Sequence, residues 1–267
     1  MFAIFWVALI GMSAAPVFTA DLSVPREIET INVPPVAQAV RTKLSSYLNT
    51  RSATAVGWQE KSILMVTRFG QTSQLHRVRG PMQYREQLPF FSEPIRGISF
   101  PEGGAKRHLI ISRDQGGSEF YQLYLLDLRD GSTRLLSDGE SRYSGATWSP
   151  DGEQFAYSTT QRNGRNWDLH IQDLEGDVNP VFETMDGSWS VEDWSADGER
   201  LLISKYVSIN ESYLYELSIK SKKADPLAIT ASVSSIGAAK YGPSGEIYYT
   251  SDQNSEFRRL YRLDRVS

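Results

Sequence analysis

The acidic pair Glu192 and Asp193 comes nearest, by residue type and spacing, to a site for acid–base chemistry in this sequence. Such chemistry needs one group that donates a proton and another that accepts one, both at the same substrate. The two residues lie in a strand-like run, residues 190–194, and adjacent residues of a strand point to opposite faces of the sheet. We therefore predict that these two carboxylates do not act together on one substrate.

Residue types and spacing argue against thiol and metal chemistry. The sequence has no cysteine, which excludes disulfides, thiolate nucleophiles and cysteine-ligated metals. Its three histidines, His76, His108 and His170, lie singly in strand-like runs, far from the close spacing of a histidine metal motif. We predict no metal and no other cofactor, and interpret the histidines as strand or surface residues.

The charge balance bears on the class of partner. Lys and Arg number 28 against 32 Asp and Glu, which gives a net charge of −4. There is no basic excess to collect phosphates, so we predict that the chain does not bind nucleic acid. With 40% hydrophobic and 22% charged residues, the chain can bury a substantial core.

The first 20 residues differ in composition from the rest. Residues 2–10 form an apolar run without charge, residues 11–15 are rich in small side chains, and polar sequence begins at Asp21. This pattern predicts that residues 1–20 are a secretory signal peptide. A membrane anchor stays open, because about 20 residues can span a bilayer. In either case we expect an exported protein, periplasmic or secreted.

Residues 21–52 are predicted to form an extended lead and one helix. Pro25, Pro34 and Pro35 favour extended backbone, because proline fixes φ and disfavours helix in the preceding residue. Apolar residues then recur at helical spacing across residues 36–48. We interpret this segment as a helix that docks on the side of the domain that follows.

The domain itself is defined by a repeat. An aromatic residue followed by a tight-turn cluster recurs at intervals in the forties, at Trp58, Phe100, Trp148, Trp194 and Tyr241. A period of this length, with several short strand-like runs in each unit, is typical of a β-propeller. We predict that each large ring fills the gap between adjacent blades and does not stack on a ligand.

Each repeat resolves into successive strands. The first strand ends at the aromatic residue, and turns such as residues 149–152 and 195–198 use glycine for a positive φ. Second strands are predicted at 63–69, 108–114, 154–160, 200–206 and 246–252. Third strands are predicted at 75–78, 123–128, 169–174, 214–219 and 260–263, and fourth strands at 133–137, 179–183 and 226–230. Asp127 and Asp173, at the ends of third strands, are interpreted as turn acceptors.

The fold class is therefore all-β, a propeller of four-stranded antiparallel blades preceded by a short helix. Residues 53–267 hold about four complete blades and a partial fifth, since no fourth strand follows residues 260–263. An open arc leaves strand edges unpaired. We interpret the chain as the N-terminal part of a longer gene product. Closure as a five-bladed ring stays open if residues 50–56 supply the missing strand.

Several segments resemble one known family. Residues 114–127 and the turn at Trp148 are similar to the propeller of the prolyl oligopeptidase family, in its acylaminoacyl-peptidase and dipeptidyl-aminopeptidase-like branch. The prolines at 34 and 35 and residues 47–53, 67–70 and 74–78 are similar to exported bacterial members. The resemblance covers about residues 30–267, although the repeat turn alone is shared with TolB-type and other propellers.

This resemblance implies a propeller of seven or eight blades that caps an α/β-hydrolase domain. That domain cleaves oligopeptides with a Ser-Asp-His triad, whose serine lies on a Gly-x-Ser-x-Gly turn. The nearest string here, residues 187–191, lacks the second glycine. We therefore assign no catalytic residue and predict that the chain alone is inactive as a peptidase.

Three functions remain open. The first is the substrate-gating propeller of an exported serine peptidase, with short peptides as substrates and a C-terminal α/β-hydrolase domain as partner. The second is a stand-alone TolB-like propeller that binds proteins in the periplasm. The third is a small propeller enzyme that acts on a sugar or lactone. Substrate-binding residues and the oligomeric state are not predicted.

Overall fold

The computed structural model describes residues 31–48, 50–70, 72–102, 107–227 and 233–264. The chain divides into two compact units, Met1–Thr50 and Arg51–Ser267. Residues 1–30 lie outside the described residues, so the signal peptide or anchor and most of the extended lead remain predictions. Among the helices that the structure does describe, none combines the length and apolar character that a membrane crossing requires.

The first unit contains the predicted helix. Helix α1 spans Gln38–Leu48, and all of its residues that can be described are exposed or half-buried. The helix starts two residues later than predicted, after Val36 and Ala37. Its docking on the second unit stays a prediction.

The second unit consists of strands in five separate antiparallel sheets. The first sheet contains β1 (Ala53–Gln59), β2 (Ser62–Thr67), β3 (Gln74–Val78) and β4 (Arg85–Gln87). The second contains β5 (Gly97–Ser99), β6 (His108–Arg113), β7 (Gln122–Asp127) and β8 (Thr133–Leu135). The third contains β9 (Tyr143–Trp148), β10 (Gln154–Thr159), β11 (Asp168–Asp173) and β12 (Val178–Phe182). The fourth contains β13 (Ser188–Trp194), β14 (Arg200–Ser208), β15 (Glu211–Ser218) and β16 (Lys223–Pro226), and the fifth β17 (Ile236–Tyr241), β18 (Ile247–Ser251) and β19 (Arg259–Leu263).

This arrangement confirms the propeller prediction, with four four-stranded blades and a fifth in which three strands are described. The proposed closure by residues 50–56 is wrong, because β1 begins at Ala53 and residues 53–55 pair with β2 of the first blade. Strand β4 was not predicted. Strand β16 meets the predicted range 226–230 at Pro226, and residues 228–230 of that range lie outside the described residues. Lys223–Pro226 pairs with β15, where Ser218 lies opposite Lys223.

The apolar core lies between the blades. Four clusters of buried side chains each join two consecutive blades. Alternation along β6 shows why: Leu109 and Ile111 pack towards the first blade, whereas Ile110 packs towards the third. Burial of one such side chain stabilises the fold by about 1.5–3 kcal/mol. Blades two, three and four, which each lie between two other blades, therefore use both faces of their sheets for packing.

The predicted hairpin turns at residues 149–152 and 195–198 are confirmed. Ser149 Oγ donates a hydrogen bond to Asp151 Oδ1 at 2.6 Å, and Gly152 N donates one to Ser149 O at 2.9 Å. Ser195 and Asp197 repeat the side-chain contact in the next blade, at 2.5 Å. Gly152 has a φ of 74°, in the left-handed region that only glycine adopts at little cost.

A second repeated feature is a side-chain hydrogen bond that joins each of the first four blades to the connection that follows it. The first or second residue of every third strand from blade one to blade four is a buried polar residue. Gln74 Nε2, for example, donates hydrogen bonds to Phe91 O at 3.1 Å and Glu93 O at 2.9 Å. The equivalent residues are Gln122, Asp168 and Ser212. These contacts hold neighbouring blades in register.

Two strand histidines, the buried His76 and the half-buried His170, make the stability of this fold depend on pH. Burial lowers the pKa of His76 and of His170 from the ordinary value of 6.5. The fold therefore favours the neutral ring, and the stability that this contributes is present above about pH 6.5 and is lost as the pH falls towards the lowered values. We expect urea unfolding to show a decrease in stability between about pH 7.5 and about pH 5.5.

The slope of stability against pH is the decisive quantity in this experiment. His76→Gln and His170→Gln should each flatten it, because glutamine does not titrate. His108 is more exposed and lies 3.6 Å from Asp127, whose charge opposes the lowering of its pKa. His108→Gln should therefore change the slope less, and an equal effect of all three replacements would contradict this interpretation.

Candidate functional site

The repeated aromatic residues connect the inner strands of consecutive blades. Trp148 Nε1 donates a hydrogen bond to Ser99 O of the preceding blade at 3.2 Å, and Trp194 Nε1 donates one to Thr147 O at 2.8 Å. Both tryptophans are buried within the clusters between blades. The prediction that these rings fill the gaps between blades is confirmed for them.

The first aromatic residue departs from this pattern. Trp58 in β1 is 59% exposed, so the prediction of a gap-filling ring is wrong at this position. The physical reason is that each of the other rings packs towards the preceding blade, and the described chain has no blade before β1.

Blades four and five are joined by a charged contact instead of an indole. Lys240 Nζ lies 3.0 Å from Asp193 Oδ1 and donates to Glu192 O at 2.7 Å. Tyr241 N donates to Asp193 Oδ2 at 2.9 Å. Asp193 immediately precedes the aromatic residue of its repeat, as Ser99 and Thr147 do in blades two and three. Those two residues accept a hydrogen bond from the next blade through the backbone oxygen, whereas Asp193 accepts through its carboxylate.

A cavity of about 580 Å³ lies where these inner strands end. Its walls combine aromatic rings, turn prolines and three charged side chains. It is lined by Ser99, Phe100, Glu102, Ala146, Thr147, Trp148, Pro150, Asp193, Trp194, Ala196, Lys240, Tyr241, Gly242 and Pro243. Its size falls in the range of ligand-binding clefts, and its lining shows the usual combination of apolar walls with a few polar groups.

The inner strands reach this cavity through β-bulges. Pairing between β13 and β14 shifts register between Val191 and Asp193, and similar shifts occur in β1, β9 and β17. A bulge adds a residue and re-aims the side chains around it. The strict alternation assumed for Glu192 and Asp193 is therefore interrupted.

Contacts nevertheless separate the two carboxylates. Glu192 Oε1 accepts hydrogen bonds from Ser190 Oγ at 3.0 Å and Ser204 Oγ at 2.7 Å, both within its own blade. Asp193 faces Lys240 and Tyr241 of the next blade. The pair is thus divided between two hydrogen-bond networks, which does not provide the acid and base of one reaction.

The other residues considered from the sequence have local roles. Asp173 Oδ1 accepts from the backbone of Gly176 and Asp177, both at 2.8 Å, and hydrogen bonds from Arg129 lower the pKa of Asp127. Both aspartates are turn acceptors, as predicted. Residues 187–191 run into β13. In the described part of the chain, no group of three or more His, Asp or Glu side chains is placed to hold a metal ion.

Lys240 and Glu102 are the cavity residues that the sequence analysis missed. Lys240 immediately precedes the aromatic residue of its repeat, the position that Asp193 holds one blade earlier. Alignment of the repeats on their aromatic residues would have placed the two opposite charges at equivalent positions. Glu102 lies in the predicted turn at residues 101–104, which follows Phe100. Residues 103 and 104 of this turn lie outside the described residues.

Comparison with known protein families shows which family this propeller belongs to. A family model described as the prolyl oligopeptidase N-terminal beta-propeller domain matches residues 95–266. The chain belongs to this family. The matched range begins two residues before β5, so the family propeller extends over the second to fifth blades.

This chain is also similar to a TolB protein. It is 28% identical over 148 residues to the Tol-Pal system protein TolB of Alcanivorax borkumensis. The aligned segment covers 55% of this chain and 32% of that protein. The chain thus spans about a third of the length of this curated relative.

Two solved structures show the same fold. Putative TolB from Agrobacterium tumefaciens has a TM-score of 0.56 at 19% identity, over 80% of this chain and 77% of that one. A structure from a study of two prolyl endopeptidases and the role of inter-domain dynamics in catalysis and specificity has a TM-score of 0.60 at 15% identity. That match covers 85% of this chain and 36% of the other. At these identities the likeness shows the propeller fold alone.

Proposed function

We propose that this chain is the substrate-gating propeller of an exported serine peptidase that hydrolyses short peptides. The catalytic α/β-hydrolase domain in this proposal lies outside the chain. The observation that carries the proposal is the match of residues 95–266 to the prolyl oligopeptidase propeller family. The cavity and one rim of the propeller support it on physical grounds.

The cavity provides a mouth of limited size. Its lining includes the turns between first and second strands, represented by Pro150, Ala196 and Pro243. A volume of about 580 Å³ accommodates a few residues of peptide and excludes a folded domain. A gate that admits short peptides to a separate catalytic domain requires this kind of size limit.

The opposite rim is suited to contact with another domain. Equivalent inner-strand positions are hydrogen-bonded across blades, so all inner strands run in one direction. The loops between second and third strands and the connections between blades therefore share one rim, which we call the apolar rim. Its exposed apolar side chains are Phe69, Phe90, Phe120, Met185, Ile209, Val233 and Phe257.

Exposed apolar side chains in this number indicate an interaction surface. Ile209, at the tip of the β14–β15 hairpin, is 76% exposed. The rim that bears the cavity carries mainly polar turns, and its exposed apolar side chains include Trp58, Met82 and Tyr84. A catalytic domain on the apolar rim would place the peptide entrance and the reacting groups at opposite rims of the propeller.

The test uses the product of the native gene, isolated from its source with an antibody against residues 107–227. We expect a protein longer than 267 residues that is labelled by a fluorophosphonate probe and cleaves short chromogenic peptides. The isolated chain serves as the control and should be neither labelled nor active. A native product that the probe does not label would overturn the proposal.

A TolB-like interaction propeller is the second candidate. The observation that favours it is the identity of 28% over 148 residues to the Tol-Pal system protein TolB. Under this alternative the native product remains unlabelled and co-purifies in a stoichiometric complex with another protein. The labelling experiment therefore separates the two functions.

A further inference from the structure

Glu192 carries a charge on the inner strand of blade four that no cation of the described chain balances. No ion pair involves its carboxylate among the described residues. Lys240, the neighbouring cation, binds the backbone oxygen of Glu192 and pairs with the carboxylate of Asp193 instead. A half-buried carboxylate without a counter-charge favours a cation from outside the chain.

The carboxylate is also held in place. Ser190 Oγ and Ser204 Oγ both donate to Glu192 Oε1, and the two hydroxyl oxygens lie 2.8 Å apart. These contacts fix the side chain by one oxygen. The second oxygen, Oε2, keeps its full capacity to accept hydrogen bonds from a ligand. Such preorganisation reduces the entropy that binding costs.

The neighbouring cavity shares this preference for a cation. Glu102 lines it and makes no ion pair within the described residues, whereas Lys240 and Asp193 neutralise each other. The half-buried rings of Phe100 and Tyr241 also belong to the wall. Aromatic faces attract ammonium and guanidinium groups, and turn prolines offer apolar contact to an alkyl chain.

We propose that the propeller selects peptides that carry a basic side chain at this cavity, with Glu192 Oε2, on the residue next to the cavity-lining Asp193, as the acceptor for the guanidinium or ammonium group. The inference rests on the proposed peptide-gating function and adds a substrate class to it. Glu102 contributes a weaker attraction at the mouth, because its side chain is exposed and, within the described residues, no hydroxyl group donates to it. Glu192 acts here by binding and not as a proton donor.

The test measures peptide binding to the full 267-residue chain by isothermal titration calorimetry. The probe is N-acetyl-Gly-Arg-Gly-amide, and the matched neutral probe replaces arginine with citrulline. Blocked termini leave the side chain as the only charge. We expect the arginine peptide to bind about ten-fold more tightly than the citrulline peptide, since a charge-assisted hydrogen bond is lost in the latter.

Variants assign this difference to Glu192. Glu192→Gln keeps the shape and an oxygen for the two serines, and it should weaken binding of the arginine peptide about ten-fold without changing the citrulline peptide. Glu102→Gln should have a smaller effect. Glu199→Gln, in an exposed turn of the same blade and not part of the cavity lining, is the control and should leave both affinities unchanged.

Equal affinity for both peptides, absence of binding, or an unchanged preference in Glu192→Gln would each overturn the inference. These outcomes are distinct from failure of the proposed function, which is read from fluorophosphonate labelling of the native gene product. A labelled peptidase whose propeller shows no preference for arginine would retain the function and refute the role of Glu192.

Discussion

Replacement of Trp194 with alanine is expected to lower the free energy of unfolding by about 3–5 kcal/mol. The indole is 6% exposed and packs in the cluster between blades three and four. Its removal leaves a cavity and also removes the only side-chain donor to Thr147 O that the described contacts provide, at 2.8 Å. Urea unfolding followed by tryptophan fluorescence and far-UV circular dichroism measures the change.

Two matched variants divide this effect into its parts. Trp194→Phe keeps most of the ring but loses the Nε1 donor, so its cost includes about 1 kcal/mol for the hydrogen bond and part of the packing term. Trp58→Ala removes the same residue type from the equivalent position of the first blade, where the side chain is 59% exposed. We expect a cost below about 1 kcal/mol there. Equal costs at Trp58 and Trp194 would show that the inter-blade position of the ring is unimportant.

The contrast between these two tryptophans shows what the repeat could and could not predict. The recurring aromatic and turn predicted the blades, because every blade repeats one supersecondary unit with its own turn chemistry. It could not show that the ring of Trp58 is exposed. Burial at that position depends on a neighbouring blade, which is a property of the assembled sheets and not of the local sequence.

Strand ends were predictable where turns are explicit and less so elsewhere. The second strands begin within one residue of the predictions, and three of them follow turns that contain a glycine of positive φ, Gly152, Gly198 and Gly245. Arg85–Gln87 was missed because three polar or charged residues give no apolar alternation. Strands β14 and β15 extend to Ser208 and Glu211, past the predicted ends, because a two-residue connection lets their pairing continue.

The candidate site was only partly accessible to sequence reasoning. The sequence showed Glu192 and Asp193 as neighbours, and the alternation rule assigned them to opposite faces. A bulge that depends on the pairing between β13 and β14 interrupts that rule, and sequence alone does not locate it. Lys240 joins the site from 47 residues further along the chain, through an inter-blade contact.

Replacement of Asp168 with alanine is expected to destabilise the fold by about 3–5 kcal/mol. Its carboxylate is buried and lies 2.5 Å from Arg162 Nε, and it accepts a hydrogen bond from Thr184 N at 2.7 Å. Alanine leaves the guanidinium without its counter-charge and the Thr184 amide without its acceptor. The connection from blade three to blade four loses its anchor at the same time.

The pH dependence of this variant provides a second measurement. Burial alone would raise the pKa of Asp168, but hydrogen bonds from Arg162 and Thr184 outweigh burial and lower the pKa below 3.8. The stability that the ionised form contributes is therefore present above about pH 3.8 and is lost as the pH falls towards the lowered value. Asp168→Ala should flatten this acid limb of the stability curve.

An exposed ion pair supplies the control. Asp225 lies 2.6 Å from Lys223, and both side chains are mostly exposed to solvent. Asp225→Ala should change stability by less than about 0.5 kcal/mol, because surface pairs gain little from their mutual attraction. If Asp168→Ala were equally mild, the buried contact with Arg162 and Thr184 would not be what joins these blades. Asp168→Asn, which can still accept from Thr184 N, should fall between the two, since it restores the amide's acceptor but not the charge opposite Arg162.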